Sequence, residues 1–144
     1  MSSRRRADHE HVVLLIEDSE STRDALAQLL ELEGYRVAAV PDGSDALHLI
    51  QTFDFRPCII ITDLMMPEVD GLAFHSELHR YPERELAGIP VIALTAHADL
   101  RRQALAQGFT AALLKPCRPD ELFRLVERHC AATSLHVRIH VVKK

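Results

Sequence analysis

Short unbroken apolar runs alternate along this chain with stretches where apolar residues recur every three or four positions. Residues 11–17 are the first run, and 21–33 follow with Leu26, Leu29 and Leu30 on one helical stripe before Gly34 supplies a left-handed cap. A weaker strand over 35–40 leads through the turn residues Pro41, Asp42 and Gly43 into a helix over 44–51. Residues 58–62 form the third strand, ending at Asp63. A loop over 67–71 then opens a helix marked by Leu72, Phe74 and Leu78 that stops before Pro82. The fourth strand is 90–95, followed by a helix with Asp99 as N-cap that runs through Gln107 to Gly108. Residues 111–114 are a short fifth strand, and Pro119 opens a final helix to about Ala131, with Asp120 and Glu121 complementing its dipole.

Strands that alternate with helices form a parallel sheet covered on both faces, and strands buried on both faces read as continuous apolar runs. The expected fold is therefore α/β and doubly wound. Domain organisation follows: 1–9 as an N-terminal tail, 10–132 as one folding unit, and 133–144 as a C-terminal tail. In that tail, 135–142 alternate with period two and read as a further strand or a contact between copies in a homodimer.

In such a sheet ligands bind at the carboxyl ends of the strands. Those positions hold Glu17 and Asp18 after the first strand, Asp63 after the third, Thr95 after the fourth and Lys115 after the fifth. Taken alone, any one of them is an ordinary cap or turn residue. Together they place three carboxylates, a hydroxyl and an ammonium group at one edge. Clustered carboxylates raise one another's pKa unless a cation lies among them. Oxygen ligands favour Mg²⁺, whereas zinc would want His or Cys. Beside such an ion, Lys115 and Thr95 suit the oxygens of a transferring phosphoryl group, and Asp63 on the central strand is the best nucleophile.

Composition narrows the partners. The 144 residues carry a net charge of −4, with 47% hydrophobic and 26% charged residues, which fits one globular unit and argues against direct DNA binding. No apolar stretch reaches the length of a signal core or a membrane span, so a cytoplasmic location is expected. Cys58, Cys117 and Cys130 lack a CxxC pattern and suggest neither a disulfide framework nor a zinc knuckle; Cys58 and Cys130 read as small core residues. His75 and His79 lie four apart, but without the HExxH pattern they read as a polar helix face.

The chain resembles the receiver domain of two-component response regulators over about residues 10–132. The motifs are Glu17-Asp18, Asp63-Leu64-Met65-Met66-Pro67, Asp70-Gly71, Ala93-Leu94-Thr95-Ala96 and Lys115-Pro116. The resemblance implies a flavodoxin-like, five-stranded parallel sheet in the order 2-1-3-4-5. It also implies that Asp63 accepts a phosphoryl group from a sensor histidine kinase or a histidine phosphotransfer protein. Mg²⁺ would be held by Asp18, Asp63, the Met65 carbonyl and Glu17, the last through water. Thr95 and Lys115 would contact phosphoryl oxygens, across a cis Lys115-Pro116 bond. His97 and Met65 would line access to the site. Receivers commonly place an aromatic residue three positions before the lysine to relay the switch. This chain has Ala112 there, and the spacing of Phe109 does not substitute.

Output is expected through a separate effector protein, because the tail cannot form a DNA-binding domain. The module would catalyse its own phosphorylation and dephosphorylation and not act as a multiple-turnover enzyme. A phosphate carrier in a phosphorelay and a receiver excised from a hybrid kinase are the near alternatives. An aspartyl-phosphate phosphatase would need a second Asp at the position of Met65, and an unphosphorylated scaffold would have lost a site residue.

Overall fold

The computed structural model describes residues 12–66 and 70–133. The tail at 135–142 and the loop residues Pro67, Glu68 and Val69 lie outside them. Five parallel strands, β1 (Val12–Ile16), β2 (Arg36–Val40), β3 (Ile59–Asp63), β4 (Val91–Thr95) and β5 (Ala111–Leu114), pair in the order 2-1-3-4-5. The helices are α1 (Glu20–Leu32), α2 (Gly43–Phe53), α3 (Gly71–Leu78), α4 (Ala98–Gln107) and α5 (Pro119–Thr133). A single helical turn, Arg84–Ala87, precedes β4.

Alternate residues of each strand feed two cores. Leu14, Ile16, Ile60 and Ala93 pack with Ile50, Phe74, Leu78 and Ala104 of α2, α3 and α4. Val13, Leu15, Ile59, Ile61 and Leu94 pack with Leu30 of α1 and Leu122 and Val126 of α5. Because β3 and β4 are covered on both faces, every residue in them is buried. The carboxyl ends of β1, β3 and β4 are level: Ile16 pairs with Thr62 and Asp63 with Leu94. Register alone therefore sets the acidic pair after Ile16 beside Asp63.

Gly34 and Gly108 adopt the left-handed conformations their positions required, with φ of 99° and 111°. Four expectations need correction. Cys58 and Cys130 are joined in a disulfide across Cα atoms 5.5 Å apart, linking the start of β3 to α5. Sequence spacing carried no sign of it, since the two are brought together only when α5 packs on the sheet. Asp99 does not cap α4: His97 holds that position without a side-chain bond, while Asp99 sits in the first turn paired to Arg102. His75 is buried, stacked on Phe109, and only His79 is exposed. Finally, Asp63 is the last residue of its strand, held in the ladder one residue further than the apolar run suggested.

Candidate functional site

At the carboxyl edge of the sheet, Lys115 extends from the turn after β5 and donates to two carboxylates, Asp63 Oδ2 at 3.2 Å and Glu17 Oε1 at 3.3 Å. Its peptide bond to Pro116 is cis. Burial alone would lower the pKa of Lys115, but the neighbouring charges of Asp63 and Glu17 outweigh it and the pKa rises. Glu17 is 2% exposed. Burial raises the pKa of its carboxyl group; the Ser19 N–H, which donates to Oε2 at 3.1 Å, opposes that rise and the charge of Asp63 adds to it.

Asp63 is held from several sides. Its Oδ1 accepts from the Met65 N–H at 3.3 Å, and its carbonyl accepts from Thr62 Oγ1 at 2.8 Å. Behind it the chain turns back so tightly that a Cβ on Gly71 would lie 2.5 Å from the Asp63 carbonyl oxygen and 2.8 Å from Leu64 Cδ2. Only glycine fits there, which gives the Asp70-Gly71 pair its reason: Asp70 caps α3 through Ala73 N–H, and Gly71 backs onto the acceptor strand.

Thr95 ends β4 one level beyond the Asp63–Leu94 pair. Its carbonyl accepts from Lys115 N–H at 2.8 Å and its hydroxyl oxygen accepts from His97 N–H at 3.2 Å. Asp18 is exposed at the mouth, where a cavity of about 440 Å³ is lined by Asp18, Leu64, Met65, Met66, Asp70, Leu72 and Leu100. Met65 is half exposed on its rim.

One oxygen each from Glu17, Asp18 and Asp63 can lie within 4.8 Å of the others. Three hard oxygen donors, without nitrogen or sulfur among them, suit Mg²⁺. The structure therefore brings Glu17, Asp18, Asp63, Met65 and Lys115 to one place, with Thr95 on the adjoining strand end. Arg23 belongs to no motif of the sequence, yet its Nη1 donates to the Glu17 carbonyl at 2.9 Å. Its position six residues after Glu17, one turn into α1, was the available signal. At the Ala112 position, buried in the core, the backbone carbonyl accepts from Arg101 Nε at 2.8 Å, tying α4 to β5.

Parallel order, level strand ends and an acid-lysine cluster define a doubly wound signalling fold with its site at the switch point. The chain belongs to the response regulator receiver domain family, whose model matches residues 13–127, and is a receiver domain of two-component systems. It is 38% identical over 122 residues to an uncharacterized 14.6 kDa protein of Leptolyngbya boryana, covering 83% of this chain and 90% of that one. It is 30% identical to the regulatory protein AtoC of Escherichia coli, covering 88% of this chain but only 27% of AtoC.

Among solved structures, a receiver domain of a histidine kinase from Syntrophus aciditrophicus superposes with a TM-score of 0.76 at 34% identity, covering 85% of this chain and 91% of that one. The receiver of the Pseudomonas aeruginosa sensor kinase PA1611, solved with magnesium in its active-site cleft, gives 0.74 at 28%, with 84% and 98% covered. No helix among the described residues is long and apolar enough to cross a membrane.

Proposed function

We propose that Asp63 is the phosphoacceptor of this receiver, that residues 10–132 form its working unit, and that it acts in the cytoplasm. The observation that carries this reading is that Lys115 bridges Asp63 and Glu17 at the strand ends, with both Asp63 oxygens engaged by donors. An Asp63 oxygen attacks the phosphorus of a phosphohistidine on a sensor kinase or phosphotransfer protein. The phosphorus–nitrogen bond breaks, its electron pair stays on the histidine, and a phosphorus–oxygen bond to Asp63 forms.

Charge gathers on the phosphoryl oxygens during this transfer. Lys115 Nζ and the Thr95 hydroxyl are the donors proposed to receive it. Mg²⁺ would be held by Asp18, Asp63 and the Met65 carbonyl, with Glu17 through water, and would offset the negative charge that otherwise repels phosphate. Met65 stands where an aspartyl-phosphate phosphatase would need its second Asp, which argues against that chemistry. Readout is proposed to reach a separate effector protein by way of α4, which starts three residues after Thr95 and is tied to Ala112 by Arg101.

The test is intact mass after incubation with acetyl phosphate. One phosphate should be gained with Mg²⁺, and none with a chelator or in Asp63→Asn. Phosphate gained by Asp63→Asn would sink the assignment.

A further inference from the structure

The peptide that joins Glu17 to Asp18 links the two acidic residues of the β1–α1 turn, and its orientation sets the direction in which the Asp18 side chain leaves the backbone. Three bonds fix Glu17 on the strand side: its N–H donates to Val40 O at 3.0 Å, Oε1 accepts from Lys115, and Oε2 accepts from Ser19 N–H. None of these holds the Glu17 carbonyl, the oxygen of that peptide. Its partner is Arg23 Nη1, at 2.9 Å, from a half-buried side chain. Arg23 is in turn placed by the first turn of α1, where its N–H donates to Ser19 O at 2.8 Å.

We infer that Arg23 is a positioning residue for the cation site: it locks the Glu17–Asp18 peptide so that the Asp18 carboxylate faces Asp63. This inference rests on the phosphoacceptor reading above. Arg23 has a second and opposing influence, because it brings a positive charge close to a site that must attract a cation. The three carboxylates and Lys115 sum to a formal charge of −2, and Arg23 reduces the field that this produces. Orientation and charge therefore predict opposite signs when the side chain is removed. If Arg23 acts only through its charge, losing it tightens Mg²⁺ binding. If it orients the peptide, losing it weakens Mg²⁺ binding despite the relief of repulsion.

The decisive experiment is Mg²⁺ titration by calorimetry on the full chain, comparing parent with Arg23→Met. Groups that hold a metal ligand in place commonly account for 10–100-fold in affinity, and with the charge effect opposing, a loss of roughly three- to tenfold is expected. In acetyl phosphate labelling, the Mg²⁺ concentration for half-maximal rate should rise by the same factor, while the rate at saturating Mg²⁺ stays near that of the parent. Merely structural damage would lower the rate at every Mg²⁺ concentration.

Arg23→Met binding Mg²⁺ as tightly as the parent, or more tightly, overturns the inference, as does a rate that excess Mg²⁺ does not restore. Should the Met variant fail to fold by circular dichroism, Arg23→Lys is read in its place. That variant keeps the charge, but its shorter side chain ends before the position from which Arg23 Nη1 donates to the Glu17 carbonyl, so weaker Mg²⁺ binding supports the inference and parent-like binding overturns it. Failure of the phosphoacceptor reading shows separately, as a parent that neither binds Mg²⁺ nor labels at Asp63.

Discussion

Burial of His75 in its neutral form should cost this fold about 2 kcal/mol of stability by pH 5, because the unfolded chain gains a proton there that the folded chain does not. The ring is 4% exposed and lies between two neighbours: Phe109, stacked with centroids 4.2 Å apart, and His79, at 4.3 Å. Gln107 Nε2 sits 3.0 Å from its Nδ1 while also donating to Leu72 O, which assigns Nδ1 as an acceptor and the imidazole as neutral. Burial first, and the positive charge His79 can carry second, lower its pKa from 6.5 to about 4. The unfolded chain thus takes up a proton near pH 6.5 that the folded chain refuses until near pH 4. Stability from this source is complete above pH 6.5 and erodes as pH falls to 4, by about 3 kcal/mol in all.

Urea unfolding of parent and His75→Phe at pH 7.5 and pH 5 isolates the effect, because carboxylates titrating in the same range do so in both proteins. The parent should lose about 2 kcal/mol more than the variant over that interval. Equal losses in the two proteins would refute the account of a buried neutral imidazole.

Two further perturbations address the covalent and the steric frame. Reduction of Cys58–Cys130 reopens a loop whose ends are 72 residues apart, so reductant or Cys130→Ser should lower unfolding stability by about 4 kcal/mol. Without reductant only Cys117 should react with a thiol reagent in denatured protein; three reactive thiols would contradict the pairing. Gly71→Ala puts a methyl group 2.5 Å from the Asp63 carbonyl oxygen, so the acceptor strand must shift, and labelling by acetyl phosphate should slow roughly tenfold or more. A parent-like rate would show that the β3–α3 turn gives way without moving Asp63.

β1, β3, β4 and β5 and the residues at their ends were legible because each is an apolar run that stops at a polar residue, and parallel order carries those stops to one edge. The distant pairings were not. Cys58 and Cys130 meet only through the packing of α5, and the intervening sequence carries no trace of it. His75 shares helix α3 with exposed positions, and its burial depends on Phe109, which follows the Gly108 cap of α4. At α4, Asp99 has the better capping chemistry and so masks the true cap, His97, which holds the position through backbone geometry alone. Arg84–Ala87 is too short for a periodic signal and is held by backbone bonds such as Leu86 N–H to Glu83 O. Arg23 and Arg101 act on carbonyl oxygens, which sequence patterns do not display.

The disulfide also sorts the site into two classes of attachment. Residues 58–130 form a closed covalent ring, and Asp63, Thr95 and Lys115 all lie on it. Glu17 and Asp18 lie outside, reached through a linear stretch of chain. A single backbone cut within the ring leaves the proposed acceptor and its two phosphoryl-binding side chains on one connected molecule, whereas a cut between Asp18 and Cys58 leaves the acidic pair held by noncovalent contacts alone. A nicked protein run without reductant would therefore report where it was cut by whether it still migrates as one chain.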